Sequence, residues 1–132
     1  MVDEQKLIDL AVDAQKFAYV PYSKFKIGAC LVTKDGHYIQ GANIENASYG
    51  LCMCGERNAV YHAYCLGYKK DDILAICISS NCLPAASPCG ACRQVLSELL
   101  NLDTPVILYS TLGDRMDTTV KELLPFAFVP SQ

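Results

Sequence analysis

Three stretches of the chain are predicted to form helices. Between residues 3 and 19 the apolar side chains lie on one face and three aspartates on the other, and Pro21 closes this predicted amphipathic helix. Residues 54–66 predict a second helix. A third begins near Pro88, which the sequence places in the first helical turn, and carries Val95, Leu96, Leu99 and Leu100.

Strand patterns occupy the intervening stretches. Residues 27–33 and 37–41 flank a turn that contains Gly36, which predicts a β-hairpin. Residues 73–79 are almost all apolar, as in a central strand covered on both faces, and residues 105–110 predict another strand. We expect a turn over 112–116 and a short strand or helix over 118–124. The order α-β-β-α-β-α-β predicts an α/β fold with a sheet between helices.

Length and charge exclude several classes of protein. The 132 residues predict one domain over 1–132, and 52% apolar against 19% charged residues argues against disorder. Because the net charge is −3, we expect no nucleic acid as partner. No apolar run approaches the ~20 residues that span a bilayer, and the first six residues are acidic rather than basic. We therefore expect a cytoplasmic protein with no membrane contact.

Eight cysteines are many for a chain expected to keep its thiols reduced. Four stand alone, where a free cysteine usually packs as a small buried hydrophobe: Cys30, Cys65, Cys77 and Cys82. The other four form two clusters, Cys52-Met53-Cys54 and Cys89-Gly90-Ala91-Cys92. These two clusters are the candidates for chemistry.

The second cluster is a C-x-x-C motif at a predicted helix start, where the helix dipole favours thiolates. A redox dithiol and half of a zinc site fit it equally well. Cys54 also opens a predicted helix and can supply a third thiolate. Three protein ligands leave a fourth position open for water, which is typical of a catalytic zinc site.

Zinc with three thiolates carries a net charge of about −1 and is a weak Lewis acid. Helix N-termini and a nearby cation can withdraw that charge. Arg57 and Arg93 each follow a candidate ligand closely, and we expect Arg57 to tune the charge at the metal. For Arg93, an ordinary residue on the helix surface is an equally good explanation.

The motifs carry a family resemblance. The sequence resembles the small tetrameric cytidine deaminases over nearly its whole length, through residues 21–29, 41–50, 54–57, 88–93 and 122–125. The resemblance implies a three-layer α/β/α sandwich with a mixed, five-stranded sheet. It also implies zinc-dependent hydrolysis of cytidine and deoxycytidine to uridine and deoxyuridine plus ammonia, as in pyrimidine salvage.

The resemblance also assigns roles residue by residue. It makes Cys54, Cys89 and Cys92 the ligands of about one zinc ion per chain. It makes Glu56 the catalytic proton shuttle, a role that a carboxyl group beside an activated water can perform. Its implied substrate contacts are Phe25 on the base, Asn43 and Glu45 on the ribose, the backbone of Ala47 and Gly55 on the base, and Tyr49 and Phe128 in a neighbouring subunit's pocket.

Assembly follows from composition as well as from the resemblance. A mean hydropathy of +0.17 suggests more apolar surface than so small a monomer should expose. The resemblance implies a homotetramer with shared active sites. The apolar stretch 123–129 is the candidate lid over a neighbour's site.

Three positions depart from the family pattern or complicate it. Gly55 and Asn58 replace the usual Ala and the common Ser or Thr, and Cys52 could compete with Cys54 for metal. Only Cys54 is followed by x-Glu, which favours it as the ligand. The alternatives are a deaminase of an aminonucleoside antibiotic such as blasticidin S, a non-catalytic zinc module, and a redox module.

Overall fold

The computed structural model describes residues 2–129. Its helices are α1 (Glu4–Asp13), α2 (Gly55–Cys65), α3 (Gly90–Leu99) and a short α4 (Val120–Leu123). Its strands are β1 (Gly28–Thr33), β2 (Tyr38–Ala42), β3 (Ile73–Ser80), β4 (Pro105–Ser110) and β5 (Asp114–Thr119). Short 3₁₀ turns occupy Ala14–Phe17, Tyr49–Leu51 and Lys70–Asp72.

All five strands form one mixed sheet in the order β2-β1-β3-β4-β5. The β3–β4 pair is parallel, with Ile78 beside Leu108, and the other pairs are antiparallel. The crossover from β3 to β4 runs through α3, as a parallel pair requires. The predicted α/β class and the five-stranded mixed sheet are confirmed.

Two hydrophobic cores lie on opposite faces of the sheet. On one face α1 contributes Leu7 and Ala11 and covers Cys30 and Cys77 of the central strands. On the other face α2 and α3 pack over a larger core that includes Leu31, Ile76, Val60, Leu96 and Leu108. The sheet is therefore covered on both sides, and α2 and α3 share one side.

Helix α2 lies unusually close to the edge strand β2. A Cβ atom on Gly41 would come within 2.3 Å of the backbone nitrogen of Ala59 and 2.6 Å of the carbonyl oxygen of Gly55. Only glycine permits this approach. Asn58 adds a bond from Nδ2 to the carbonyl oxygen of Ala42, 2.7 Å away. These contacts fix the N-terminal end of α2 against the sheet.

Several expected boundaries differ from the structure. The first helix is α-helical only to Asp13 and then tightens to 3₁₀ geometry. Pro88 precedes the capping residue Cys89 instead of lying in the first turn of α3. Residues 114–116, expected in a turn, belong to β5, and α4 follows that strand directly. Cys65 is exposed and Cys82 half-buried, whereas Cys30 and Cys77 are buried as expected.

No helix within residues 2–129 has the length and apolar character needed to cross a membrane.

Candidate active site

Three cysteine thiols meet where α2 and α3 begin. Cys54 is the N-cap of α2, Cys89 is the N-cap of α3, and Cys92 lies one turn into α3. Their sulfur atoms all lie within 4.8 Å of one another. Because the two helices pack side by side on the same face of the sheet, ligands 35 residues apart in sequence come together.

The spacing of the sulfurs suits a tetrahedral metal ion. Sulfurs bound to zinc at about 2.3 Å in tetrahedral geometry lie about 3.8 Å apart. The Sγ atoms of Cys54 and Cys89 are 3.8 Å apart, and those of Cys89 and Cys92 are 3.4 Å apart. Soft thiolates are also the donors that zinc prefers. The three residues therefore fit a zinc ion without rearrangement of the backbone.

Cys52 lies outside this group. Its thiol bonds to the backbone of Asn46, accepting from the amide nitrogen at 3.3 Å and donating to the carbonyl oxygen at 3.5 Å. Among residues 2–129, the only cluster of three or more candidate metal ligands consists of Cys54, Cys89 and Cys92. The geometry thus favours Cys54 over Cys52, as the sequence predicted.

Arg57 directs its charge at the thiols. Its Nη2 donates to the Sγ of Cys54 across 3.5 Å. Hydrogen bonds from Cys92 and Arg57 lower the pKa of Cys54 to about 5, and the bond to Cys54 raises the pKa of Arg57. The same proton sharing, with burial, raises the pKa of Cys92. The guanidinium of Arg57 lies beside the thiol of Cys54 and therefore favours its thiolate form.

The Nε atom of Arg57 is buried and has no hydrogen-bond partner within the described chain. An unpaired buried N–H usually destabilises a fold. Here the adjacent thiol cluster supplies negative charge that offsets the cost.

Arg93 has a different set of contacts. Its Nε donates to the carbonyl oxygen of Pro88 at 2.7 Å, Nη1 to that of Leu123 at 2.8 Å, and Nη2 to the hydroxyl of Ser87 at 3.0 Å. All of these acceptors are neutral. Arg93 therefore ties the loop before Cys89 to the end of α4, and of the two arginines only Arg57 contacts a thiol.

Glu56 lies at the floor of a cavity beside Cys54. Its side chain is 4% exposed, and burial raises the pKa of Glu56 to about 7. The cavity has a volume of about 210 Å³ and is lined by Phe25, Ile27, Asn43, Cys54, Gly55, Glu56, Ile78, Ala86 and Ser87. A carboxyl group, a candidate metal ligand and an aromatic ring thus face one enclosed space.

Asn43 fixes the segment that carries Phe25. Its Oδ1 accepts from the backbone nitrogen of Ile27 at 2.9 Å, and its Nδ2 donates to the carbonyl oxygen of Phe25 at 2.8 Å. The amide retains one N–H and one acceptor position for a ligand in the cavity.

Glu45 and Tyr49 line an adjacent space rather than the main cavity. This second cavity, of about 220 Å³, is also lined by Tyr22, Ser23, Asn46 and Cys52. Ala47 is exposed and borders neither cavity. Phe128 lies far along the chain in a C-terminal apolar stretch and is 76% exposed. Within one chain, the structure therefore groups Phe25, Asn43 and Gly55 with Glu56 and leaves Glu45, Ala47, Tyr49 and Phe128 apart.

Some lining residues were not anticipated. Ile27, Ile78, Ala86 and Ser87 complete the main cavity. Ser87 lies two residues before the first cysteine of the C-x-x-C motif, so its position was a usable signal. Ala86 was not predictable, because a bond from its backbone nitrogen to Ser80, 3.1 Å away, places it.

Neither histidine belongs to the site. His37 and His62 are exposed, and His37 Nδ1 lies 2.6 Å from the hydroxyl of Tyr68. Both border a cavity of about 680 Å³ that is also lined by β2. The lining of that cavity contains no thiol or carboxyl group, so volume alone does not identify the reactive site.

A family model described as the cytidine and deoxycytidylate deaminase zinc-binding region matches residues 1–108. A cytidine deaminase from Halalkalibacterium halodurans is 51% identical over 127 residues, which cover 96% of this chain and 95% of the relative. A cytidine deaminase from Sporosarcina psychrophila is 44% identical over 127 residues, with 96% and 92% covered.

Solved structures give the same correspondence. The crystal structure of a cytidine deaminase from Burkholderia pseudomallei matches with a TM-score of 0.93 and 45% identity, covering 97% of this chain and 100% of that one. The crystal structure of a cytidine deaminase from Mycobacterium tuberculosis matches with a TM-score of 0.82 and 34% identity, covering 98% and 100%. The similarity therefore includes the arrangement of the fold as well as the motifs.

Proposed function

Because the chain belongs to the cytidine and deoxycytidylate deaminase family, we infer that it is a zinc-dependent hydrolase that converts cytidine and deoxycytidine, with water, to uridine and deoxyuridine plus ammonia. The observation that carries this inference is the meeting of a three-thiol cluster with a buried carboxyl group. Cys54 and Glu56 line the same small cavity, together with the ring of Phe25. A non-catalytic zinc module or a redox module is excluded by the family.

We propose that Cys54, Cys89 and Cys92 hold one zinc ion per chain and that Glu56 moves the protons. Zinc in such a site supplies Lewis-acid activation of one water molecule at neutral pH. Glu56 accepts a proton from the water molecule, and the water oxygen adds to C4 of the pyrimidine. Glu56 then delivers that proton to N3. Glu56 then takes the remaining proton of the new C4 hydroxyl and passes it to the amino group, which leaves as ammonia as the C4–N bond breaks and the C4 carbonyl forms.

Substrate contacts follow from the cavity. We propose that Phe25 packs against the base and that Asn43 and Glu45 bind the ribose. The backbone of Ala47 and Gly55 would contact the base. The main cavity, of about 210 Å³, and the adjacent one that contains Glu45 together suit a free nucleoside. The net charge of −3 gives no overall positive field to attract a polynucleotide.

We also propose a homotetramer in which Tyr49 and Phe128 enter neighbouring subunits' sites. Large apolar side chains are exposed in the 3₁₀ turn over Tyr49–Leu51, with Tyr49 79% and Leu51 69% accessible, and along the C-terminal stretch, with Phe126 fully accessible. Apolar exposure of this kind favours association. We further propose that residues 1–132 form one catalytic domain that serves pyrimidine salvage in the reducing cytoplasm, where all eight free cysteines stay reduced.

The activity is tested on purified, zinc-loaded protein. We expect release of one ammonia for each cytidine or deoxycytidine consumed, with loss of the absorbance of the aminopyrimidine. Release of ammonia from blasticidin S but from neither nucleoside would overturn the proposed substrate. A fully active monomer at assay concentration, established by light scattering, would overturn the shared sites while leaving the zinc chemistry in place.

A further inference from the structure

Ser23 connects two residues of the proposed substrate site. Its hydroxyl donates to the Oε2 atom of Glu45 and accepts from the backbone nitrogen of Phe25, 3.0 Å away. Glu45 was proposed for the ribose and Phe25 for the base. One hydroxyl group therefore contacts both the residue proposed to bind the ribose and the residue proposed to pack against the base.

The local backbone holds Ser23 in this position. Lys24 adopts a positive φ of 60°, which turns the chain so that the Phe25 nitrogen faces the Ser23 oxygen two residues earlier. The Lys24 nitrogen donates to the carbonyl oxygen of Val20 at 3.1 Å. A left-handed conformation at a residue other than glycine is uncommon and persists where surrounding contacts impose it.

Hydrogen bonds from this turn occupy most of the acceptor positions of the Glu45 carboxylate. Its Oε1 accepts from the backbone nitrogens of Tyr22 at 3.2 Å and Ser23 at 3.1 Å, while Oε2 accepts from the Ser23 hydroxyl. An ionised carboxylate offers about four acceptor positions. The turn uses three of them and leaves about one, on Oε2, for a donor in the cavity of about 220 Å³.

We propose that Ser23 is a positioning residue that aims the remaining acceptor of Glu45 at a ribose hydroxyl. The inference rests on the proposed function, in which Glu45 binds the 3′-hydroxyl. Without the Ser23 hydroxyl, Oε2 loses the hydrogen bond that fixes its position. The carboxylate can then rotate while Oε1 keeps its bonds to the backbone. The carboxylate of Glu45 is then still present, but it is no longer oriented to accept a hydrogen bond from the substrate hydroxyl.

The experiment compares cytidine with 3′-deoxycytidine, which lacks the hydroxyl in question. For the unaltered protein we expect kcat/KM to favour cytidine. In Ser23→Ala this preference should fall about tenfold, the loss expected for one hydrogen bond to a charged group. The change should appear in KM for cytidine, with kcat held within about twofold, because the zinc ligands and Glu56 are untouched.

Two further variants separate positioning from folding. Ser23→Thr restores the hydroxyl at an exposed position with room for a methyl group and should recover the preference. Ser23→Cys keeps the shape with a weaker donor and should lie between Ser and Ala, which gives a readout even if Ser23→Ala is unstable. Ser97→Ala, which removes an exposed hydroxyl that bonds only within α3 at Gln94, serves as the matched control.

The outcomes are distinguishable. An unchanged preference in Ser23→Ala, with KM raised equally for both nucleosides, would overturn the proposal and leave Ser23 a purely structural support of Phe25. Equal use of both nucleosides by the unaltered protein would also overturn it, since no hydroxyl would then be aimed at. Failure of the zinc-loaded, unaltered protein to deaminate cytidine at all is a different result and refutes the proposed function itself.

Discussion

Arg57 reaches back one helical turn and donates from Nη2 to the Sγ of Cys54 across 3.5 Å. The contact places a permanent positive charge against the thiol that caps the same helix. Arg93 lies in the first turns of α3, four residues after the N-cap Cys89, whereas Arg57 lies three residues after Cys54. Arg93 donates to carbonyl and hydroxyl oxygens instead. Two arginines in similar sequence settings therefore perform different physical tasks.

That difference predicts different results for the two arginines. Arg57→Ala should weaken zinc binding about 10- to 100-fold, the range found when a partner of a metal ligand is removed. Arg57→Lys should recover part of the affinity, because it keeps the charge. Competition with a chelator of known affinity measures both variants.

Arg93→Ala is the matched comparison. It should lower the melting temperature, because it releases Leu123 and Pro88 from their shared donor. The intrinsic zinc affinity should change much less than in Arg57→Ala. If the two alanine variants lost zinc affinity equally and had the same melting temperature, the proposal that Arg57 in particular strengthens zinc binding would be refuted.

The thiol cluster predicts which cysteines retain zinc. Cys89→Ala and Cys92→Ala should lose metal and activity together, and Cys54→Ser should lose most of its metal. Cys52→Ser is the matched control and should keep about one zinc per chain, because its thiol bonds to the backbone of Asn46 instead. Atomic absorption on dialysed protein decides the question. A Cys54→Ser protein with full zinc beside a zinc-free Cys52→Ser protein would reverse the assignment.

Replacement of Glu56 by glutamine should separate chemistry from structure. The amide fills the same buried space but cannot carry a proton, so kcat should fall by about 10²- to 10⁴-fold. Zinc content and melting temperature should stay close to those of the unaltered protein, because glutamine keeps the size of the side chain and the three thiols are unchanged. Turnover near normal in Glu56→Gln would refute the proposed proton shuttle.

A cluster of hydrogen bonds around Asp35, outside the cavity that contains Glu56, gives a prediction about pH. Hydrogen bonds from Thr33, Tyr68 and His37 lower the pKa of Asp35 to about 2. A lowered folded-state pKa means that the stabilising contribution is present above the ordinary aspartate pKa near 3.9 and is lost as the pH falls towards 2.

The check is a titration of the Asp35 carboxyl carbon by NMR. The signal should show no midpoint between pH 4.5 and 3.5, where an ordinary aspartate titrates. Thr33→Val, which removes the largest cause of the shift, should move the midpoint upward. An ordinary midpoint in the unaltered protein contradicts the hydrogen-bonded cluster.

The sequence was informative where burial sets the pattern. The apolar run of β3 predicted that strand, and the helix expected over residues 54–66 matches α2, each to within one or two residues. By contrast, β5 reads Asp-Arg-Met-Asp-Thr-Thr and was expected to begin as a turn. Its membership of the sheet comes from backbone pairing with β4 at an edge, which needs no apolar side chains.

The site divides in the same way. Ligand chemistry and spacing along α3 pointed to Cys89 and Cys92, and the following glutamate pointed to Cys54. The bond from Ser23 to Glu45 joins residues 22 apart through a left-handed turn, and neither periodicity nor composition records such a contact. The targets of Arg93 likewise depend on where α4 ends relative to α3, which is a property of the folded chain.

The separation of Cys54 and Cys89 by 35 residues has a consequence for folding. A metal ion bound to both acts as a reversible cross-link that closes a long loop and reduces the conformational freedom of the unfolded chain. A covalent bridge over a loop of that length stabilises a protein by about 4 kcal/mol in the chain-entropy model. A chain without zinc therefore lacks a stabilising contribution comparable with much of the stability of a small domain. The fraction of molecules that survive proteolysis in a cell should accordingly depend on the supply of zinc.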